Sequence, residues 1–516
     1  MDLQRDLLPC PLLFRFEDDS RICDVSRRVG RRSAAKRHWM TWCNEGVSCL
    51  YELYGHAPAA PLAGFSVGQR DALDRISQAY CKVGRPPVDV SSSAGAFEAL
   101  CGAKVSCYSN EVLEDFGKPT PYQAGMVSLP PLFARPARLN TLLQGRELSM
   151  WEEWRTHLLQ GASMNCQEAS SATFNHQQIY SDVSRVKRPM VYASFVNELV
   201  QRRVVVLKPV RASTVGIFFV RKHDQSLRMI FDTRYVNSQF RSPSKTVLPS
   251  PAAWSRVELA EADALHFSQS DVQAAFYRIA LPEDLQDYFV LPQVRTDSIP
   301  GLSAAERAQL GSFCSPCMNT LPMGWSWAVF FCQAAVEAGF RIAGASSSAA
   351  VLDRGPAQCI DGAACIHAVY VDNFAAVSTS ASGACSMITR VKHILEEHGL
   401  GCHDVESGVN CDFTGLSFDG SRGIISVTPR RIWRLRMAIT HALNRGHMTG
   451  DQMRCLLGHF TWSALVRRES LAIAHACYAF VASQADGSGK LWPSVRRELR
   501  WMSGLLPLLY HDMRTT

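Results

Sequence analysis

The stretch "AVYVDNFAAV", residues 368–377, sets a carboxylate and an amide, Asp372 and Asn373, between two runs of small apolar residues. The flanking runs "IHAVYV" and "FAAVS" read as two apolar strands joined by a tight turn, a hairpin with Asp372 at its tip. Burying a charge is costly unless the charge is paired or holds a metal. The stretch is therefore either a turn that happens to carry Asp-Asn or a metal site at a hairpin tip. Upstream, "ALHFSQSDVQAAFYRIAL" (264–281) reads as a strand ending near Asp271 and then a short helix. Two such strands side by side would bring Asp271 and Asp372 to one edge of a sheet. Nucleotidyl transfer commonly needs that arrangement, with two divalent ions about 3.5–4 Å apart clamping the attacking and leaving oxygens. Mg²⁺ is typically held by one or two carboxylates plus substrate phosphates. Spacing alone does not prove such a site, because two aspartates this far apart in sequence are common.

The 516 residues give room for several domains and a sizeable core. Hydrophobic residues make up 47% and charged residues 20%, as in ordinary soluble globular proteins. The net charge of +7 is unevenly placed: Ser421–Thr516 carries 14 Lys and Arg against 5 Asp and Glu, so the remainder is close to neutral. A basic C-terminal region on a near-neutral body fits either a polyanion partner or a solvated basic face. The 18 cysteines follow no disulfide framework. "CSPC" (Cys314–Cys317) is a lone CxxC without a second pair at zinc-like spacing and reads as structural. Reduced thiols, no signal or transit peptide and no apolar run of membrane-span length imply a cytoplasmic or nuclear protein without a membrane partner.

Along the chain, residues 1–185 read as a helical region of unknown role. Within it, "GRPPVDVSSSAGAF" (84–97) reads as a linker and "MWEEWRTHLLQGASMNCQE" (150–168) as a helix followed by a polar loop. "YASFVNELVQRRVV" (192–205) has helical spacing, with Phe195, Leu199 and Val200 on one face. "TVGIFFVRK" and "LRMIFDTR", separated by "HDQS", read as a hairpin. Residues 294–316 and 343–364 read as surface insertions. After Thr428 the pattern is mostly helical.

Five blocks occur in order: "FFVRKHDQSLRMIFDTRYVN" (218–237), "SQSDVQAAFYRIAL" (268–281), "LPMGWSWAVFFCQ" (321–333), "YVDN" (370–373) and "FTGLSF" (413–418). Together they resemble the successive blocks of retroelement reverse transcriptases, RNA-directed DNA polymerases, over roughly residues 190–425. "LLGHFTWSALVRR" (456–468) resembles the region beyond the thumb in retroelement polyproteins and suggests an LTR/DIRS-like retrotransposon type. The resemblance implies an α+β right-hand polymerase fold with an added helical N-terminal region. Fingers and palm would span 186–428, and a helical thumb or connection region 429–516.

The resemblance also implies site roles. Asp271 and Asp372 match the catalytic metal ligands, joined by the backbone carbonyl of Val272, and Asn373 stands among the catalytic residues at the position of the family's second aspartate. Arg228 and Lys222 match residues that hold the incoming triphosphate; a guanidinium suits bidentate phosphate contact. Phe276 matches an aromatic gate that favours deoxynucleotides. Pro322, Met323, Gly324 and Gln333 match the nucleotide- and template-positioning segment, and Gly415 and Leu416 the primer grip. Arg430, Arg431, Arg434 and Arg436 would track duplex phosphates. The implied cofactor is Mg²⁺ or Mn²⁺, and the implied partners are dNTPs and an RNA or DNA template with its primer.

Three departures stand out. The family usually reads Tyr-x-Asp-Asp, and here the second aspartate is Asn373. The Lys that the family often carries after the hairpin is missing, with His403 nearby. No RNase H, protease or integrase signature follows, as expected of a fragment or degenerate copy of a longer polyprotein. A second reading therefore stands beside the polymerase: a catalytically inactive, retroelement-derived nucleic-acid-binding protein.

Overall fold

Strand His266–Asp271 lies between Glu406–Gly408 and Asn373–Ser378, and Cys365–Tyr370 completes a four-stranded sheet in which every neighbour is antiparallel. The computed structural model describes Leu12 and residues 27–55, 66–90, 92–101, 119–160, 179–180, 188–222, 225–260, 264–362, 364–484 and 487–514, with side chains of the first helix from residue 39. The chain divides into two units. One comprises Asp115–Cys411, Asp419–Gly423 and Arg514–Thr516; the other comprises Met1–Glu114, Asp412–Phe418 and Ile424–Met513.

In the first unit, helices Ala328–Ile342 and Ala381–Glu397 pack against the sheet. Ala384, Ile388, Val391 and Leu395 form a buried stripe at i, i+4, i+7 and i+11, one face of a helix. Ile388, Val391 and Leu395 of this stripe share a core with Phe331, Ala335, Phe340 and Phe374. Gly339 lets the two helices close, since a Cβ there would stand 3.0 Å from Leu395 Cδ2. The expected hairpin of Gly216–Arg221 with Leu227–Asp232 is present, with Val220 opposite Arg228. So is the helix Pro189–Gln201, which buries Phe195 and Leu199.

Residues 294–316, read as a surface insertion, are structured. They hold a helix, Ala304–Leu310, capped reciprocally by Ser303 and Glu306, and run into the strand Phe313–Met318. That strand pairs with Val205–Pro209 and buries Cys314 and Cys317 as free thiols. Residues 343–364 likewise include a strand, Gln358–Ile360, parallel to Val257–Leu259. Residues 161–168 of the expected polar loop lie outside the described residues.

The second unit is mainly helical. Helices Arg27–Leu53, Val67–Val83 and Ser93–Cys101 join Pro429–Arg445, Gly450–Ala464, His475–Ser483 and Pro493–Leu505. The Trp42 indole N–H donates to the Ser503 carbonyl at 2.9 Å, and the Tyr80 hydroxyl donates to the Gly504 carbonyl. Trp42 and Trp433 meet with ring centroids 4.9 Å apart. The linker expected over residues 84–97 is instead partly core. Ser92 Oγ accepts from the Gly95 N–H at 2.9 Å, and the helix it opens buries Ala96, Phe97 and Leu100. The serine run is thus a helix start, because a serine hydroxyl satisfies an orphan N–H of the first turn. The unit also carries the strand segments 412–413, 416–418, Ile424–Val427 and Tyr510–Asp512, neighbours in that order. Helices together with mainly antiparallel strands make the protein α+β, as expected. Among the described residues no helix is long and apolar enough to cross a membrane.

Candidate functional site

Register brings the two aspartates together. Asn373 pairs with Asp271 across one ladder and with Tyr370 across the other, leaving Val371 and Asp372 as the two-residue turn. The Asp372 carbonyl accepts from the Val272 N–H at 3.0 Å, and the Asp271 carbonyl accepts from the His403 N–H at 2.9 Å. Val272 is buried opposite Cys402 in an isolated bridge. Both carboxylates therefore stand at the same end of adjacent strands, the arrangement anticipated for Asp271 and Asp372.

The turn is strained and held from behind. Val371 has a φ of 61°, a left-handed conformation that a β-branched residue rarely adopts. Its N–H donates to Gln333 Oε1 at 2.6 Å, while Gln333 Nε2 donates to the Val369 carbonyl at 3.0 Å and to Glu337 Oε1 at 2.7 Å. Gln333 is 2% exposed. The resemblance put it among the nucleotide-positioning residues; in the structure both ends of its amide are bound within the protein.

Burial is the largest influence on both carboxylates and raises each above its ordinary 3.8. At Asp372 the nearby Asp271 pushes further up; its own N–H, Arg228 and the Asn373 amide oppose. Asn373 Nδ2 donates to Asp372 Oδ1 at 3.1 Å, which an ionised aspartate could not do. At Asp271, His403 and Lys222 pull down while Glu406 pushes up; His403 Nε2 lies 3.8 Å from Asp271 Oδ2. Two poorly solvated, mutually repelling carboxylates form a setting that a cation would relieve.

The donors are hard oxygens. Among the described residues no three or more His, Cys, Asp and Glu side chains gather as a metal cage. Carboxylate oxygens such as those of Asp271 and Asp372 are the donor type that Mg²⁺ and Mn²⁺ take.

Lys222 and Arg228 come from the hairpin next in the same unit, Lys222 also reaching Ser128 Oγ at 3.4 Å. Phe276 is half-buried in the 3₁₀ turn Ala275–Arg278, entered through Ala274 at a φ of 50°. The Tyr277 hydroxyl ties that turn to the Arg228 strand by donating to the Met229 carbonyl at 2.6 Å. The half-buried Met323 accepts from the Phe231 N–H through its carbonyl at 3.0 Å. Gly324, with a φ of 131°, admits no side chain: a Cβ would stand 2.4 Å from the Phe231 carbonyl oxygen. Asn237, a residue that sequence reasoning missed, donates to the Gly324 carbonyl at 2.9 Å and accepts from the Ser326 N–H at 3.0 Å. Glu337 was missed as well. The available signal was two polar residues one turn apart on the otherwise apolar "AVFFCQAAVEAGF".

Gly415 and Leu416 lie in the helical unit. Gly415 has a φ of 91° in the turn and its carbonyl accepts from the Thr428 N–H; Leu416 is buried. The four arginines do not form an exposed row. Arg431 and Arg434 are buried, and Arg431 lies 3.8 Å from the centroid of the Trp462 ring. Arg436 lies over Trp42 at 4.1 Å and bonds Glu45 at 2.8 Å. Arg430 is half-buried.

No family model matches the chain, and no curated protein matches it. Among solved structures, it is similar to a foamy viral protease-reverse transcriptase in complex with double-stranded DNA, at 16% identity and a TM-score of 0.45. The match covers 76% of this chain and spans 62% of the length of that one.

Proposed function

We propose that the chain is a nucleotidyltransferase of the reverse transcriptase type, an RNA-directed DNA polymerase of retrotransposon origin. It would extend a primer 3′-hydroxyl with dNTPs on an RNA or DNA template. The observation that carries this reading is the pairing of Asn373 with Asp271, which sets Asp271 and Asp372 at one sheet edge. Asp271, Asp372 and the Val272 carbonyl would hold Mg²⁺ or Mn²⁺. The bound metal supplies Lewis-acid stabilisation of the reacting oxygens. Arg228 and Lys222 orient the triphosphate, and Phe276 sets the floor under the sugar. On this reading residues 186–428 serve as fingers and palm and 429–516 as thumb.

A second reading is favoured by Asn373, which offers the site an amide where a second charge is usual: a catalytically inactive nucleic-acid-binding protein. Primer extension on an RNA template with dNTPs and Mg²⁺ or Mn²⁺ separates the two. Asp372→Ala is expected to lower extension by about 10²–10³-fold or more, the scale of losing a charge-stabilising group. A silent wild type rescued by Asn373→Asp marks a competent fold that has lost its chemistry. Silence in both, with duplex binding retained, leaves the binding protein.

A further inference from the structure

We propose that Glu337 is a positioning residue: it fixes the orientation of the Gln333 amide, which in turn holds Val371 in the conformation that presents Asp372. The catalytic consequence rests on the polymerase reading; the structural one does not.

A glutamine amide can sit in either of two orientations related by a half-turn. In the observed one, Oε1 receives the Val371 N–H, and Nε2 serves both the Val369 carbonyl and the Glu337 carboxylate. The reverse would set the amide nitrogen against an N–H and its oxygen against a carbonyl and a carboxylate. Without Glu337 the hairpin alone chooses between orientations. With it, a charge-assisted hydrogen bond of 2.7 Å, among the stronger kinds, is added to the same side.

The position argues for the role. Glu337 lies one helical turn beyond Gln333, in a helix whose other residues before Arg341 are apolar apart from these two and Cys332. Burial raises its carboxyl above the ordinary value, opposed by the Gln333 hydrogen bond and by Arg341, while Glu147 adds to the rise. An apolar side chain would fill this place without a desolvation cost. The route is short and bonded throughout: Glu337 to Gln333, Gln333 to Val371, and the Asp372 carbonyl to the Val272 N–H beside Asp271.

Amide hydrogen exchange across residues 369–373 of the full chain, read with primer extension, tests this. In Glu337→Met, exchange at Val371 is expected to rise about tenfold, the scale of a lost hydrogen bond to a charged group. Extension should fall in kcat with an unchanged KM for dNTP. Glu337→Gln keeps an acceptor and should restore slow exchange. A folded Glu337→Met protein with wild-type exchange at Val371 overturns the proposal, as does Glu337→Gln exchanging as fast as Glu337→Met. If Glu337→Met does not fold, the Glu337→Gln comparison with wild type decides: unprotected Val371 in that folded variant overturns the proposal, and protected Val371 supports it. A wild type inactive in extension refutes the polymerase reading alone, because exchange still answers for Glu337.

Discussion

The hairpin that carries Asp372 turns through Val371 at a φ of 61°, whereas the hairpin of Asn410–Phe413 and Leu416–Asp419 turns through Thr414 and Gly415 at 49° and 91°. Both meet the demand of a two-residue connection, whose favoured forms need positive φ because only they match the strand twist. The Gly415 turn meets it partly with a glycine, which enters that region without steric cost, beside the β-branched Thr414. The Val371 turn meets it with a residue unsuited to it and a glutamine supplied by a helix elsewhere in the unit. Strain of this kind persists only where surrounding structure over-determines it, and such positions cluster at functional sites. The difference is between a turn that includes a glycine and one whose strained residue is held by a side chain from another element.

The largest expected effect is at the Gly415 turn. Gly415→Val places a β-branched residue at a φ of 91°, and should cost about 1–3 kcal/mol in urea unfolding. A loss near zero would mean that the surrounding structure, the Thr428 N–H on the Gly415 carbonyl included, carries the strain. Val371→Gly should change stability less, within about 1 kcal/mol, because released strain is offset by the entropy of an added glycine. Val371 also packs against the core, so a loss as large as that of Gly415→Val would assign its role to packing rather than to the turn.

The smallest effect concerns acid. Carboxylates must be ionised to bind a cation, and both aspartates have raised pKa values, so Mn²⁺ binding should fail on acidification at a pH above the ordinary carboxylate range. Asn373→Asp removes a donor that lowers Asp372 and adds a like charge that raises it. Its acid limb should therefore move to higher pH, even if binding at pH 8 tightens. A limb that stays put would separate Asn373 from the ionisation of Asp372.

The strands and the meeting of Asp271 with Asp372 were legible because the signal is local: apolar runs bracketing a turn, twice, with a carboxylate at the matching end. The block around Gln333 was legible, but not the bonds of its amide to the hairpin, whose partners lie 36 and 38 residues away. The arginines after Thr428 show the same limit. Sequence displays their charge but not the ring of Trp42 or the carboxylate of Glu45, 391 residues from Arg436, that engage one of them. Ser92 failed for the opposite reason: one residue type both opens helices and fills linkers, and only burial of Phe97 distinguishes the two.

The helical unit's composition from two distant stretches of chain has a consequence in time. Trp42 finds its partner carbonyl 461 residues later, at Ser503. At ribosomal speeds of about 5–20 residues per second, that partner follows by roughly 25–90 seconds. Through this interval Trp42, Val47, Tyr80 and Phe97 have been synthesised but lack the C-terminal helices of their unit, while the stretch bearing both aspartates is already complete. Newly made chains should accordingly carry an ordered sheet bearing Asp271 and Asp372 while their apolar N-terminal helices still await cover, the state in which a holdase chaperone would have most to bind.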